Sequence, residues 1–309
     1  MTSPNVTLVV VPRERFSYTQ ASLESLYANT QVPFQLVYVD GGSPRAVRQY
    51  LAQQSEARGF KLLRSECYLA PNQARNLGLS QVTTDYVVFI DNDVHVAPGW
   101  LDALLDCAEQ TQAAVVCPLT CIGKPLHQTV HLAGGEARIV LEVKGEKLRR
   151  KVHEKHYLVN RSVADVRSQL GRQQCEFAEF HCMLVRRQIF KTIGLLDENL
   201  LNTREHIDFC LTVAEADGTI YCEPEAVVTY VAEPIYRWSD ISFFMLRWSD
   251  DWERSSLKYF REKWQLTKKD KYFQKRYCRL GHRRHQAFVK PMLRKLTLGR
   301  PGVSRFRRR

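Results

Sequence analysis

The chain has 309 residues, 44% hydrophobic and 25% charged, which is enough apolar material to bury a core and excludes wholesale disorder. Its 45 Lys and Arg against 33 Asp and Glu give a formal charge of +12, admitting nucleic acid, an anionic membrane or an anionic substrate as partner. From residue 236 onward 22 basic side chains stand against 6 acidic ones, while the first 235 residues are net acidic. The run of β-branched residues at 6–11 predicts a buried parallel strand, and residues 17–28 a helix. A second strand, 35–39, ends at Asp40-Gly41-Gly42. Ser43 is the expected N-cap and Pro44 the first residue of the next helix. A strand at 60–63, a helix opened by Pro71, and a strand at 86–90 ending at Asp91-Asn92-Asp93 follow. Pro98 opens another helix, and 113–117 is a fifth strand.

This alternation predicts an α/β fold with a mostly parallel sheet covered by helices on both faces. Ligands in such sheets sit beyond the carboxyl ends of the strands, where residues 12–15, 40–43 and 91–93 form polar clusters. Residues 123–175 read as a hairpin with a mobile basic loop, 177–186 as a strand and 188–193 as a short helix. Residues 202–216 form a helix with Ile207, Cys210, Leu211 and Ala214 on one face. Two short strands (219–222 and 226–231) precede a single long helix over 241–264, and a basic, aromatic-rich stretch begins at 268. The organisation expected is a domain over 1–235 and a helical extension over 236–309. Nine scattered cysteines suit a reducing compartment. The Met1-Thr-Ser-Pro opening reads as lacking a leader, and the longest uncharged run, 25–39, is too short to span a bilayer. The expected location is cytoplasmic, peripheral at the inner face of a membrane.

Asp91 and Asp93, two apart at a strand's carboxyl end, can both face a divalent cation such as Mn2+ or Mg2+. A cation there neutralises a diphosphate leaving group; the plainer reading is a solvated loop. Asp40 either caps the next helix or accepts hydrogen bonds from a base or ribose, with Gly41 allowing close approach. Asn72, Arg75 and Asn76 share a helix face, either solvated or with Arg75 reaching a base or diphosphate. Glu205, His206 and Asp208 open a helix. Residues 202–205 look like a capping box, while a carboxylate or imidazole facing a cleft would serve as general base.

In chain order, Val11-Pro12, Val39-Asp40-Gly-Gly-Ser, Asn72-Gln-Ala-Arg75-Asn76-Leu-Gly78, residues 87–93, Pro98-Gly-Trp100-Leu, residues 182–198, Arg204-Glu205-His206-Ile-Asp208 and Phe260-Arg-Glu-Lys-Trp264 resemble glycosyltransferase family 2, the inverting enzymes of the GT-A fold. The resemblance covers about residues 6–264. It implies a nucleotide-diphosphate sugar donor bound by Pro12, Arg13, Asp40, Gly41, Asn72, Arg75, Asp91 and Asn92. It implies a metal at Asp91 and Asp93, and a base among Glu205, His206 and Asp208 that deprotonates the hydroxyl of a glycan or lipid-linked acceptor, in cell-surface glycan or polysaccharide synthesis. The family often carries Glu-Asp where this chain has Glu205-His206, and Glu205 is taken as the base. The family's histidine after the last strand is replaced by Val228-Thr-Tyr230. A nucleotidyltransferase on a related fold and a catalytically dead binding module are the alternatives within the fold. Nucleic-acid binding through the tail lacks any known signature. The basic residues of 268–309 are instead assigned to an anionic membrane surface.

Overall fold

The computed structural model describes residues 5–232, 237–268, 270–290 and 293. The first half alternates as expected: β1 (Val6–Val11), α1 (Thr19–Asn29), β2 (Gln35–Gly41), α2 (Arg45–Arg58), β3 (Lys61–Ser65), α3 (Pro71–Leu79), β4 (Tyr86–Asp91), a short β5 (Val94–Val96), α4 (Trp100–Thr111) and β6 (Val115–Ile122). The second half contains β7 (Val130–Leu132), β8 (Gly135–Lys144), β9 (Lys147–His156), α5 (Val163–Val166), β10 (Gln173–Cys175), β11 (Cys182–Arg186), α6 (Phe190–Ile193), α7 (Glu205–Glu215) and β12 (Ile220–Tyr230). The extension forms α8 (Trp238–Arg247), α9 (Asp250–Lys263), α10 (Lys271–Tyr277) and α11 (His282–Arg284).

The main sheet runs β10-β12-β6-β11-β4-β1-β2-β3. Strands β3, β2, β1 and β4 are parallel, as are β6 and β12, and β11 lies antiparallel between the two groups. Both faces are covered, and the two-residue period of the strands divides their side chains between two cores. Leu8, Val10, Val88 and Ile90 pack with α1, α2 and α4 through Leu23, Leu51 and Trp100. Val9, Val11, Val87 and Phe89 pack with α3 and α7 through Ala74, Phe209 and Val213. Helix α3 comes so close to the sheet that a Cβ on Gly78 would lie 2.3 Å from Val9 Cγ1.

Four expectations are corrected. The hairpin expected within 123–175 is present, but the charged stretch after its turn, expected as a mobile loop, is strand β9, paired with β8 along its whole length. The two short strands after α7 are one strand, β12, with an irregularity between Glu223 and Val227. The single helix over 241–264 is two, because Ser249 stops α8 and caps α9 by accepting from the Trp252 backbone N–H. Pro44, not Ser43, is the N-cap of α2, since the Ser43 hydroxyl donates to Asp40 instead.

Candidate active site

The carboxyl ends of β1 and β4 meet the start of α7 around a cavity of about 190 Å³, whose lining includes Pro12, Arg13, Arg75, Asp91, Glu205 and His206. Asp91 is buried. Its carboxylate lies 3.5 Å from both Arg13 and Arg75 and 3.2 Å from His181 Nδ1. Burial alone would raise its pKa, but His181, Arg13 and Arg75 outweigh that and hold it below the ordinary carboxylate value. Arg13 also lies 4.2 Å over the Tyr230 ring, and Arg75 lies 4.0 Å over Phe180. Asn92 faces inward and ties the loop after β1. Its Oδ1 accepts from the Arg13 N–H and its Nδ2 donates to the Arg15 carbonyl.

Asp93 is fully buried outside the cavity lining, and neither of its oxygens has a hydrogen-bond partner among the described residues. Arg15 Nε lies 3.9 Å from its Oδ2. Burial pushes this carboxyl up to about 8, with Asp91 and Glu14 adding and Arg13 and Arg15 opposing. A bare buried carboxylate two residues from Asp91 fits a divalent cation, whose charge removes the desolvation cost. A second donor set stands nearby. His131 Nε2 is 2.9 Å and His181 Nε2 3.6 Å from Glu179 Oε2, and the three offer ligand atoms within 4.8 Å of one another.

The α7 turn separates its three candidate bases. Asp208 turns away from the cavity and accepts from Lys263 Nζ and the Trp264 indole, both at 2.8 Å. Glu205 is buried and accepts from Arg247 at 3.2 Å. Burial would raise its pKa, but Arg247, His206 and Arg75 bring it down to about 2. His206 is half-buried on the cavity wall, its ring edge-on to Phe177 at 5.4 Å. Burial lowers its pKa, so the neutral imidazole predominates near pH 7. The expected capping box over 202–205 does not form. Arg204 is the N-cap with φ +71°, and the Asn202 side chain donates to the Arg247 carbonyl.

Other expected donor contacts lie apart from the cavity. Asp40 is buried and accepts from the Ser43 N–H and hydroxyl and from Arg64. Gly41 sits beside Pro12, whose Cγ would be 3.2 Å from an added Cβ. Asn72 and Asn76 are buried rather than solvated. They bond to the backbone of residues 196–197 and bolt α3 to that turn.

Several lining residues carried no motif. Glu154 and His156 come from β9, and Glu179 and His181 from the approach to β11. His181 reaches Asp91 because β11 pairs antiparallel with β4, and the Asp91 N–H donates to the His181 carbonyl. The extension also contributes Arg247, Trp248 and Arg283 to the cavity. Arg247 Nε donates to the Arg13 carbonyl, and the Trp248 indole donates to Glu14.

The glycosyl transferase family 2 model matches residues 7–194. Among curated proteins, the pre-mycofactocin glycosyltransferase of Mycobacterium tuberculosis is 27% identical over 160 residues, covering 52% of this chain and 30% of that protein. The putative glycosyltransferase EpsH of Bacillus subtilis is 26% identical over 125 residues, covering 38% of this chain and 34% of that protein. This chain therefore spans only about a third of these relatives' lengths. Among solved structures, GalNAc-T7 with UDP, GalNAc and Mn2+ superimposes with a TM-score of 0.55 at 15% identity, over 90% of this chain and 57% of that one. TarS 1-349 of S. aureus gives 0.51 at 13% identity, over 93% of this chain and 82% of that one. These two likenesses are of fold, which is GT-A. The sequence match spans more than half the chain and takes in β1, Asp91, Asp93 and β11, so the chain belongs to glycosyl transferase family 2.

Proposed function

We propose that this protein transfers a sugar from a nucleotide-diphosphate donor to an acceptor hydroxyl, inverting the anomeric carbon in one displacement. The observation that carries the reading is the half-buried His206 imidazole across one cavity from Asp91, Arg13 and Arg75. A divalent cation, Mn2+ or Mg2+, held by Asp91 and Asp93 would neutralise charge growing on the diphosphate. The Mn2+ bound by GalNAc-T7 supports this choice.

Arg13 and Arg75 orient the diphosphate by charge-assisted hydrogen bonds. Pro12 borders the base and ribose, Asp40 and Gly41 fix the loop behind it, and Asn72 and Asn92 hold the surrounding backbone. His206 Nδ1 or Nε2 takes the proton of the acceptor hydroxyl as it attacks. This differs from the assignment to Glu205, whose carboxylate is a weak base inside its ion pair with Arg247. Asp208 holds α9 against α7. The acceptor is a glycan or a lipid-linked saccharide, in cell-surface glycan or polysaccharide synthesis. The basic extension attaches the enzyme to the cytoplasmic face of an anionic membrane; of the segment 268–309 assigned to that contact, residues 269, 291–292 and 294–309 lie outside the described residues. No helix among the described residues is long and apolar enough to cross a membrane.

The test is release of nucleoside diphosphate across a panel of nucleotide sugars, with Mn2+ and with EDTA. Turnover that needs the cation and is lost in Asp93→Ala supports the reading. Full turnover by Asp93→Ala, or in EDTA, removes the cation from it.

A further inference from the structure

We propose that the tip of the β8–β9 hairpin is a membrane-docking element that seats the protein on an anionic lipid surface. This rests on a different segment from the basic tail and does not depend on the reaction assigned above.

The hairpin is a two-stranded sheet of its own, paired from Gly135 with His156 to Lys144 with Lys147. The period of two puts Ala137, Ile139, Leu141 and Val143 on one face, with Val152, Arg150 and Leu148 opposite them on β9. Near its base that face is core: Ala137 and Val152 are buried with Leu257, Phe260 and Trp264. The body of the protein ends at Arg150, whose backbone pairs with Thr267 and whose Nε donates to the Trp264 carbonyl. Beyond that point the same apolar face continues into solvent. Leu141 is 59% exposed, Val143 74% and Leu148 63%, and Val143 stands directly across from Leu148. A water-facing ribbon end has no use for three adjacent aliphatic side chains; a contiguous exposed apolar patch marks a contact surface.

Charge selects lipid as the occupant. Lys147, Arg149 and Lys151 lie on the opposite face of the ribbon, and Arg150 flanks the apolar one. Only Glu142 and Glu146 oppose them near the tip, and Glu142 is paired with Lys151. The exposed Lys268 follows Thr267 and adds a further cation beside the point where the hairpin leaves the body. An apolar point with a cationic collar suits an anionic bilayer, aliphatic groups entering the acyl boundary and cations meeting headgroups. A second copy docked tip to tip about a two-fold axis would bring Lys147 and Arg149 against their own images.

The test uses the full chain in flotation with phosphatidylcholine vesicles, with and without phosphatidylglycerol. The parent is expected to float with the anionic vesicles. The double variants Val143→Ser/Leu148→Ser and Lys147→Glu/Arg149→Glu should each bind at least about tenfold more weakly with unchanged melting temperatures. In Val143→Trp, brominated lipid should quench fluorescence beyond the parent's own quenching. Both variants keep the tail intact, so undiminished flotation by Val143→Ser/Leu148→Ser would overturn the proposal and leave attachment to the tail. Failure of the parent to float with anionic vesicles would also overturn it. So would a dimer, seen by light scattering, that Leu148→Ser converts to monomer; that result makes the face a contact between copies.

Discussion

Asp93 is a carboxyl group in the protein interior with no hydrogen bond to either oxygen among the described residues, and its charged form costs stability until a cation or proton joins it. Asp93→Asn should therefore leave the metal-free protein as stable as the parent, or more so by about 1–3 kcal/mol. The same substitution should abolish the rise in melting temperature that Mn2+ gives the parent; differential scanning calorimetry in EDTA and in Mn2+ reads both. His206 makes a pH prediction. Burial lowers its pKa from 6.5, so the basic form persists into mildly acid solution and the acid limb of kcat/KM falls below pH 6.5. His206→Ala should lower kcat about 10²–10⁴-fold and erase that limb, while donor binding by calorimetry stays near the parent's. Asp91 and Arg75 were legible because a strand end and a helix face fix where they point. His131, His156 and His181 were not, because they come from a short edge strand, a hairpin and the approach to an antiparallel strand, whose partners no local pattern names.

Among the elements, α3 shows how tightly the two layers meet. Gly78→Ala would drive a methyl group into Val9, and overpacking of this kind costs about 1–3 kcal/mol; urea denaturation should show that loss. The parallel half of the fold was readable because continuous apolar strands and proline-opened helices carry their own boundaries. The antiparallel half was harder. Glu223 and Pro224 interrupt the apolar run of β12, yet the strand continues because the register slips at that point. The aromatic pattern over 241–264 hides the break at Trp248-Ser249, although Ser249 with acidic residues at 250, 251 and 253 is an N-terminal signature. In the stretch 202–205 the residues suit a capping box, but Arg247 draws Asn202 and Glu205 into tertiary bonds.

At the scale of the molecule, the charge-rich extension divides into parts with different work. We propose that its described helices complete the catalytic domain rather than follow it. Asp240 on α8 accepts from the backbone N–H groups of Phe16 and Ser17, and Phe243 stacks on Phe16 at 5.0 Å. Arg247 is buried between the Arg13 carbonyl and Glu205. Arg247→Ala leaves Glu205 charged and alone, at a cost of about 3–5 kcal/mol; a melting-temperature drop with loss of turnover is the expected result, where a detached tail would give neither. The cavity that these helices help enclose has its own consequence for kinetics. Its 190 Å³ falls below the roughly 300–1,000 Å³ of ordinary ligand sites. For the nucleotide-sugar donor proposed above, a wall of this cavity has to move to admit it, so the observed association rate should level off with concentration at the rate of that opening, which stopped-flow binding reads.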